Sequence, residues 1–490
     1  MSSTSYPPEP TPKGLTHLLS AFNDYSLSHG LTVRPAPSFV ENPKNALATA
    51  APVSLYPTLF PRSCFDTARR VQPAYNSVYA SVASDDAWLG ELVSSLAAVD
   101  SFMKQLYDVY LDVKSEGFAH EYSLGLFRSD YMVHQPTPSD EPIVHQVEFN
   151  TIASSFGGLA SRVSELHRFL ALSGAYPPHP ELIADNIPVN PAASKLADGL
   201  AAGHKAYGPA ASEGRETAVL FIVQPGERNA FDQRWLEYNL LENHGIRAYR
   251  VSLDEIPSTT MLEDRKLIYT TPQDTQVEVS VVYFRAGYGP DDYPTEKEWE
   301  ARKHLERSKA IKCPTIATQL AGAKKVQQEL AVPGVLERFC AKEEVAGIRG
   351  TFAAIYPLDS TPQGMVARKL AFEQPDKYVL KPQREGGGNN VYRGKIPGFL
   401  ESIGEDKWSA YILMELIEPP PAQGVIVRHG EAMRGGVIAE LGVYGVALWD
   451  MKGELKVNNE AGWLLRTKGS DSEEGGVAAG FGCVDGVCLI

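Results

Sequence analysis

Lys381-Pro-Gln-Arg-Glu-Gly-Gly-Gly-Asn-Asn390 directly follows the apolar run Tyr378-Val379-Leu380, and its reading decides the fold. The apolar run predicts a strand, whose end delivers a lysine, a carboxylate and an amide around three glycines. Those are the parts needed to hold a nucleoside triphosphate and its metal. Gly386, Gly387 and Gly388 let backbone N–H groups approach phosphate oxygens without Cβ obstruction, Lys381 supplies positive charge, and Glu385 offers an oxygen ligand for Mg2+. The same loop has the freedom to move as a lid. It is not a Walker A loop, because no Gly-Lys-Ser/Thr follows the glycines at the required spacing. A flexible hairpin is the competing reading of the glycines alone; the flanking Lys381, Glu385 and Asn390 favour phosphate.

The 490-residue chain exceeds one ordinary core, and its length suggests about three domains or subdomains with room for a buried cleft between them. Sixty Asp and Glu against 46 Lys and Arg give a net charge of -14, which opposes non-specific binding to nucleic acid or anionic membrane. An anionic substrate therefore needs a local basic pocket. Cys64, Cys313, Cys340, Cys483 and Cys488 are too few and too scattered for a disulfide framework or a CxxC zinc site, which fits a reducing compartment. Residues 1–14 are Ser- and Pro-rich without an apolar signal core, and no apolar segment is long enough to span a bilayer, so a cytoplasmic location is expected. The terminal Val487-Cys488-Leu489-Ile490 places cysteine one position too late for prenylation.

After a flexible tail over 1–14, residues 14–130 read mainly as helices. One of these is expected over 87–110, where Leu89, Leu92, Leu96, Val99 and Met103 recur at helical spacing as a core stripe. In Ile143-Val-His-Gln-Val-Glu-Phe-Asn150 the period-two geometry of a strand puts Val147 and Phe149 on one face and Glu148 and Asn150 on the other. From 217 the texture becomes strand, helix, strand (218–223, 231–243, 277–284), which predicts a separate, parallel-sheet substrate unit covered on both sides over 217–325. Beyond Thr318 come a helix through Lys324 and Gln328, the glycine loop, a strand over 411–417 and the turn-rich Pro419-Pro-Pro-Ala-Gln-Gly424. The expected division is thus 1–14, 15–216, 217–325 and 326–490.

Glu148, Asn150 and Glu385 form an oxygen-only set suited to Mg2+, although a solvated strand face is an even alternative for Glu148. Lys324, Lys381 and Lys468 are candidates for neutralising phosphate; Arg128, Arg285 and Arg466 are candidates for gripping carboxylates in bidentate geometry. Any one of them alone would be an ordinary surface charge. The run Gly462-Trp-Leu-Leu-Arg-Thr-Lys468, followed by Glu474-Gly-Gly-Val-Ala-Ala-Gly480, adds a strand, two cations and a second small-residue loop able to fold over a ligand. The 11 histidines include no HExxH pattern, and neither a GxSxG elbow nor a convincing Cys-His pair occurs, so His145 reads as a partly exposed strand residue.

Taken together, these stretches resemble eukaryotic-type glutathione synthetase, of the ATP-grasp superfamily. The resemblance covers nearly the whole chain after the first dozen residues. It is carried by Arg128-Ser-Asp-Tyr-Met132, Glu148-Phe-Asn-Thr-Ile152 through Ser155-Phe-Gly-Gly-Leu159, Glu227-Arg-Asn-Ala-Phe-Asp-Gln233 and Tyr283-Phe-Arg-Ala-Gly-Tyr288. It continues through Cys313, Ala317-Thr-Gln-Leu-Ala-Gly-Ala-Lys-Lys325, the opening decapeptide, Tyr411-Ile-Leu-Met-Glu415 and Leu464-Leu-Arg-Thr-Lys468. It implies an α/β (α+β) ATP-grasp fold, circularly permuted, with a parallel-sheet substrate domain and a mobile lid, in a three-part homodimeric enzyme that binds neither nucleic acid nor membrane. It also implies that γ-glutamylcysteine and glycine are joined at the expense of ATP, with Mg2+, two per subunit, as cofactor.

By the same resemblance, Arg128, Ile152, Ala153, Ser154, Ser155, Glu227, Arg228, Asn229, Gln233, Arg285 and Tyr288 match positions that hold the γ-glutamylcysteine or glutathione moiety. Arg466, Val477 and Ala478 match contacts near the reacting end. The nucleotide site matches Glu148, Lys324, Lys381, Glu385, the glycines 386–388, Asn389, Asn390, Tyr392, Met414, Glu415, Ile417, Glu440, Lys468 and Glu474. Glu148, Asn150 and Glu385 match the magnesium ligands, while Arg466, Lys324 and Lys381 take the catalytic roles. Three departures stand out: Ala153 where serine is common, Glu474 where an aspartate contacts nucleotide, and one extra residue between Tyr288 and Trp299. None removes a charge the reaction requires. A ligase using β-alanine or serine as acceptor, and a catalytically silent nucleotide-sensing protein, remain open readings.

Overall fold

A computed structural model describes residues 5–42, 44–211, 214–383, 390–472, 477 and 482–490. Its centre is a seven-stranded sheet in the order Ala422–Arg428, Val53–Ser54, Gly482–Asp485, Leu455–Gly469, Glu431–Asp450, Tyr122–His134, Ile143–Asn150. Strand Glu431–Asp450 shows why this sheet is buried on both faces. Leu441, Val443, Ala447 and Trp449 enter one apolar cluster, while Tyr444, Val446 and Leu448 enter another, as a two-residue period dictates. The helix Arg62–Ser84 covers the first face; Gly157–Leu172 and Ala192–Tyr207 cover the second.

The 217–325 stretch forms a six-stranded sheet. Thr217–Ile222, Ala248–Val251, Gln276–Phe284 and Ile311–Cys313 pair in parallel, with helices on both faces. To this expected parallel sheet an antiparallel edge is added, where Lys266–Thr270 pairs with both Thr260–Glu263 and Gln276–Phe284. The connections there are too short for a crossover. Asp264 and Arg265, with φ of 50° and 66°, make a two-residue hairpin turn. The apolar clusters run without a break from this sheet into the seven-stranded one. A third sheet, of four antiparallel strands, runs Ile355–Pro357, Tyr411–Glu415, Tyr378–Pro382, Val391–Tyr392 and has its own small core around Leu380, Leu400 and Leu413.

Five local expectations are revised. The single helix over 87–110 is two, Asp86–Ala97 and Ser101–Glu116, because the Asp100 carboxylate accepts the Met103 N–H and starts a new helix. Val99 falls in the connection and is only half-buried, whereas Leu89, Leu92, Leu96 and Met103 are core. The helix through Lys324 is likewise broken, into Ile316–Ala321 and Lys324–Ala331, which places Lys324 in a first helical turn. Strand 411–417 ends at Glu415, and a strand already begins at Ala422 inside the turn-rich segment. Part of the tail is anchored: Arg434 donates to the carbonyls of Pro7 and Pro8 at 3.1 Å each, and the helix Pro12–Ser28 starts at the Thr11 cap.

Candidate active site

Cross-strand register places the site on one face of the seven-stranded sheet. Arg128 lies opposite Asn150, Asp130 opposite Glu148 and Gly442, and Glu440 opposite Arg466. Phe149 turns the other way and stacks on Tyr79, with ring centroids 3.8 Å apart, so its neighbours Glu148 and Asn150 are held facing the site. Val147 departs from the predicted alternation. A bulge between Asp130 and Tyr131 in the partner register leaves it unpaired, and its carbonyl accepts the Lys381 ammonium at 2.9 Å. Gly442 has no alternative here, since a Cβ would come within 2.6 Å of Arg128 Cδ.

Asp130, fully buried, is the hub. It accepts Arg128 Nε and Nη2 at 2.6 and 2.8 Å, Arg466 Nη2 at 3.1 Å and Asn150 Nδ2 at 3.0 Å. Arg466 also bonds Glu440, and Lys324 Nζ meets Glu148 Oε2 at 2.7 Å. Burial alone would raise the Glu148 carboxyl, but the charges of Lys324, Lys381 and Arg466 hold it below the ordinary glutamate range. Burial depresses the Lys381 ammonium to about 8, against the opposing pull of Glu148. The net acidic chain thus builds the local basic pocket its composition requires. Glu148, Lys324, Lys381, Arg128 and Arg466 come together, with Lys468 two residues further along the Arg466 strand.

Beside this cluster lies the turn 151–156, where Ala153 and Phe156 adopt φ of 55° and 72°. Both are left-handed, so Ala153 contributes backbone shape here. The turn is clamped from three sides. Arg285 donates to Ser154 O at 2.8 Å, Tyr444 to Ser155 O at 2.6 Å, and Asp232 receives the backbone N–H groups of Phe156, Gly158 and Leu159 at 2.7, 2.8 and 3.2 Å. Asp232 therefore caps the helix Gly157–Leu172, whose own N-cap, Phe156, has no side-chain acceptor. Asp232→Ala would orphan three buried donors. The expected result is a loss of about 2–4 kcal/mol of stability and a raised KM for the substrate held by the turn, with nucleotide KM unchanged, checked by denaturant titration and steady-state kinetics. Unchanged stability would remove the clamp.

Ser154 Oγ, Asn229 Oδ1 and Gln233 Nε2 are buried without partners among the described residues, and all three belong to the expected substrate set. Unpaired buried polar atoms of this kind are what a polar ligand would satisfy. Glu227 accepts the Asn229 N–H at 2.6 Å, Gln233 accepts from Arg250 at 2.6 Å, and Tyr288 accepts from Gln224 at 3.1 Å. Arg228 donates to Arg34 O at 3.2 Å, and Ile152 is packed in the core. On the nucleotide side, Tyr392, Met414 and Ile417 join one small apolar cluster around Val379 and Ile412, which forms a shelf next to Lys381. Asn390 donates to the Tyr392 hydroxyl at 3.3 Å, and Glu415 is exposed at the end of its strand. Glu385, Gly386, Gly387, Gly388, Asn389, Glu474 and Ala478 lie outside the described residues; Val477 is buried beside Phe156.

The donor set fits magnesium. Asn150 spends its Nδ2 on Arg128 O and Asp130, which leaves its Oδ1 as an acceptor next to the Glu148 carboxylate. Sequence reasoning missed Asp130 and Asp232 as functional residues. Asp130 was signalled by its place two residues from Arg128 on one strand, because a buried guanidinium needs a carboxylate on the same face. Asp232 was not, since an aspartate in the first turn of Ala230–His244 reads as serving its own helix.

Lysines from a small antiparallel sheet and from a neighbouring helix lie with carboxylates of a large sheet beside an apolar shelf, the arrangement that an ATP-dependent ligase of the ATP-grasp class requires. Residues 12–489 match the family described as eukaryotic glutathione synthase, ATP binding domain, and the chain belongs to that family. It is 39% identical over 499 residues to the glutathione synthetase large chain of Schizosaccharomyces pombe, covering 98% of both chains. It is also 39% identical over 466 residues to the glutathione synthetase of Homo sapiens, 94% of each. The chloroplastic glutathione synthetase of Solanum lycopersicum is 40% identical over 449 residues, 90% of this chain and 78% of that one. Among solved structures, a glutathione synthetase-like effector from Globodera pallida in its apo form shares the fold, with a TM-score of 0.76 at 22% identity over 98% of each chain.

Proposed function

We propose that this chain is a glutathione synthetase that joins γ-glutamylcysteine to glycine, with ATP cleaved to ADP and phosphate. A single observation carries the reading. The cations Lys324, Lys381, Arg128 and Arg466 converge with Glu148 and Asp130, directly beside a clamped turn whose neighbours carry unsatisfied polar atoms. A carboxylate and an amine do not condense at neutral pH without activation, because oxide is a poor leaving group. In the reaction proposed, a cysteinyl carboxylate oxygen attacks the γ-phosphorus and the bond to the β-phosphate oxygen breaks, releasing ADP. The glycine amine then attacks the acyl phosphate carbonyl and expels phosphate.

Positioning and charge stabilisation suffice for both steps, so no nucleophilic side chain is required. Lys324, Lys381 and Lys468 would hold the phosphates, Arg466 would stabilise charge at the carbonyl, and Tyr392, Met414 and Ile417 would receive the base. Arg128, Arg285, Glu227, Asn229 and Gln233 would hold the dipeptide. Glu148 and Asn150, with Glu385, would hold magnesium, whose contribution when bound is neutralisation of phosphate charge. Two ions per subunit, a cytoplasmic homodimer and the four-part division at 14, 216 and 325 belong to the same reading. All five cysteines are free, and no described helix is long and apolar enough to cross a membrane. Phosphate release with ATP, magnesium, γ-glutamylcysteine and a panel of glycine, β-alanine and serine tests reaction and acceptor together. Turnover that is independent of the dipeptide would defeat the reading.

Lys381 carries the pH dependence. Its pKa of about 8 lies below the unfolded value, roughly 10.4, so the unfolded chain binds more protons between the two and this group's contribution to stability rises with pH across that window. A bound polyphosphate reverses the balance by favouring the ammonium. Near pH 8 nucleotide binding is expected to take up a fraction of a proton and to weaken as pH rises further. Calorimetry in buffers of different ionisation enthalpy measures this uptake, which should vanish in Lys381→Met.

A further inference from the structure

A cleft of about 390 Å³ opens against the substrate turn, shares Phe156 with it and is also lined by Asn229 and Val477 of the expected substrate set. Two arginines, Arg228 and Arg428, line it together with His429, and among the described residues no carboxylate side chain does. Arg428 ends the strand Ala422–Arg428, which near this end is paired on both sides, and is set in place by a tight hairpin in which His429 and Gly430 have φ of 53° and 81° and Glu431 pairs back with it. His429 stacks on Phe39 at 5.2 Å, forming the rim. The Arg428 guanidinium donates from Nη2 to Gly482 O at 3.2 Å, and its Nε is buried with no partner among the described residues, which also offer it no ion pair. The nine-tenths-buried Asn229 also lines the cleft, and its Oδ1 is equally unpartnered among the described residues. A guanidinium donor and an amide oxygen lining one cleft are complementary to the carboxylate and ammonium of an α-amino-acid head group.

The geometry points to Arg428 as a further specificity-determining residue, which grips the α-carboxylate of an amino-acid ligand in this cleft while Asn229 Oδ1 accepts from its ammonium. The inference rests on the ligase reading for the identity of that ligand. Both amino-acid ligands of the reaction carry such a head group: the γ-glutamyl end of the dipeptide and the acceptor glycine.

Arg428→Gln in the full chain tests it. The KM of one of the two amino-acid ligands should rise about tenfold or more, with kcat and the ATP KM within about twofold of the parent, and Arg428→Lys should recover part of the loss. Analogues identify the source. The parent should discriminate against 4-aminobutanoyl-cysteine, which lacks the γ-glutamyl carboxylate, or against glycinamide, and the variant should lose that discrimination for the same ligand. All KM values within about twofold of the parent would overturn the assignment, as would a uniform fall in every parameter with a lowered Tm, which marks a purely structural bond to Gly482. If the parent itself shows no ligase turnover, the ligase reading fails separately. Calorimetric titration of parent and variant with γ-glutamylcysteine and with glycine then decides the cleft: about tenfold weaker binding of either supports it and equal binding of both overturns it.

Discussion

Lys381→Met is expected to silence ligation by roughly three orders of magnitude or more while raising, not lowering, the melting temperature. The two signs come from the same burial. Lys381 is almost wholly enclosed, makes one hydrogen bond to Val147 O, and has its ammonium depressed to about 8 by desolvation. At pH 7 the unliganded protein therefore holds a charge at a cost of up to about 3 kcal/mol, taken as a ceiling because charge relaxation and water penetration reduce it. Methionine has similar length and no charge, so it relieves that cost and fills the same volume. It also removes the positive charge that would meet the phosphates. Phosphate release and a thermal melt on the same preparation check both halves. A variant that loses stability and activity together would mean that Lys381 is a structural residue, and the nucleotide assignment would fall with it.

Asp130→Ala should be the most destabilising single substitution in the site. It would leave Arg128, enclosed to within 5% of its surface, without its bidentate partner, and it would remove one of the two carboxylates that hold Arg466. Removing one member of a buried ion pair costs about 3–5 kcal/mol, because the surviving charge stays desolvated. Ligation is expected to fall below detection even where folded protein is recovered, since both arginines would relax away from the substrate turn. Asp130→Asn keeps the shape and one acceptor and should fall between. Denaturant midpoints across the three proteins measure the series; an alanine variant as stable as the parent would show that Arg128 finds its compensation elsewhere.

Much of the site was legible in the chain because its residues sit at fixed offsets on strands. Two-residue periodicity alone put Glu148 and Asn150 on one face, and the structure keeps them there. The glycine decapeptide announced Lys381 at a strand end, and the strand Tyr378–Pro382 carries it there. What escaped was whatever depended on a partner distant in sequence. The break at Asp100 was a local cap hidden under a continuous helical stripe. The antiparallel edge of the six-stranded sheet followed from two short connections that apolar patterning does not register. Asp232 looked like an ordinary first-turn acid, although it holds the N-terminus of a helix some seventy residues earlier.

By itself, then, the order of residues determined which side chains share a strand face, where phosphate-compatible loops lie and which family the chain resembles, because those depend on spacing along a backbone with fixed periods. Tertiary structure alone decided that Asp130 would be the hub for two arginines and that Val147 would offer its carbonyl to Lys381 through a bulge. It also decided that Ser154, Asn229 and Gln233 would face inward with polar atoms unmet. Charge compensation and hydrogen-bond satisfaction are properties of a closed environment, and no stretch of sequence contains its own environment.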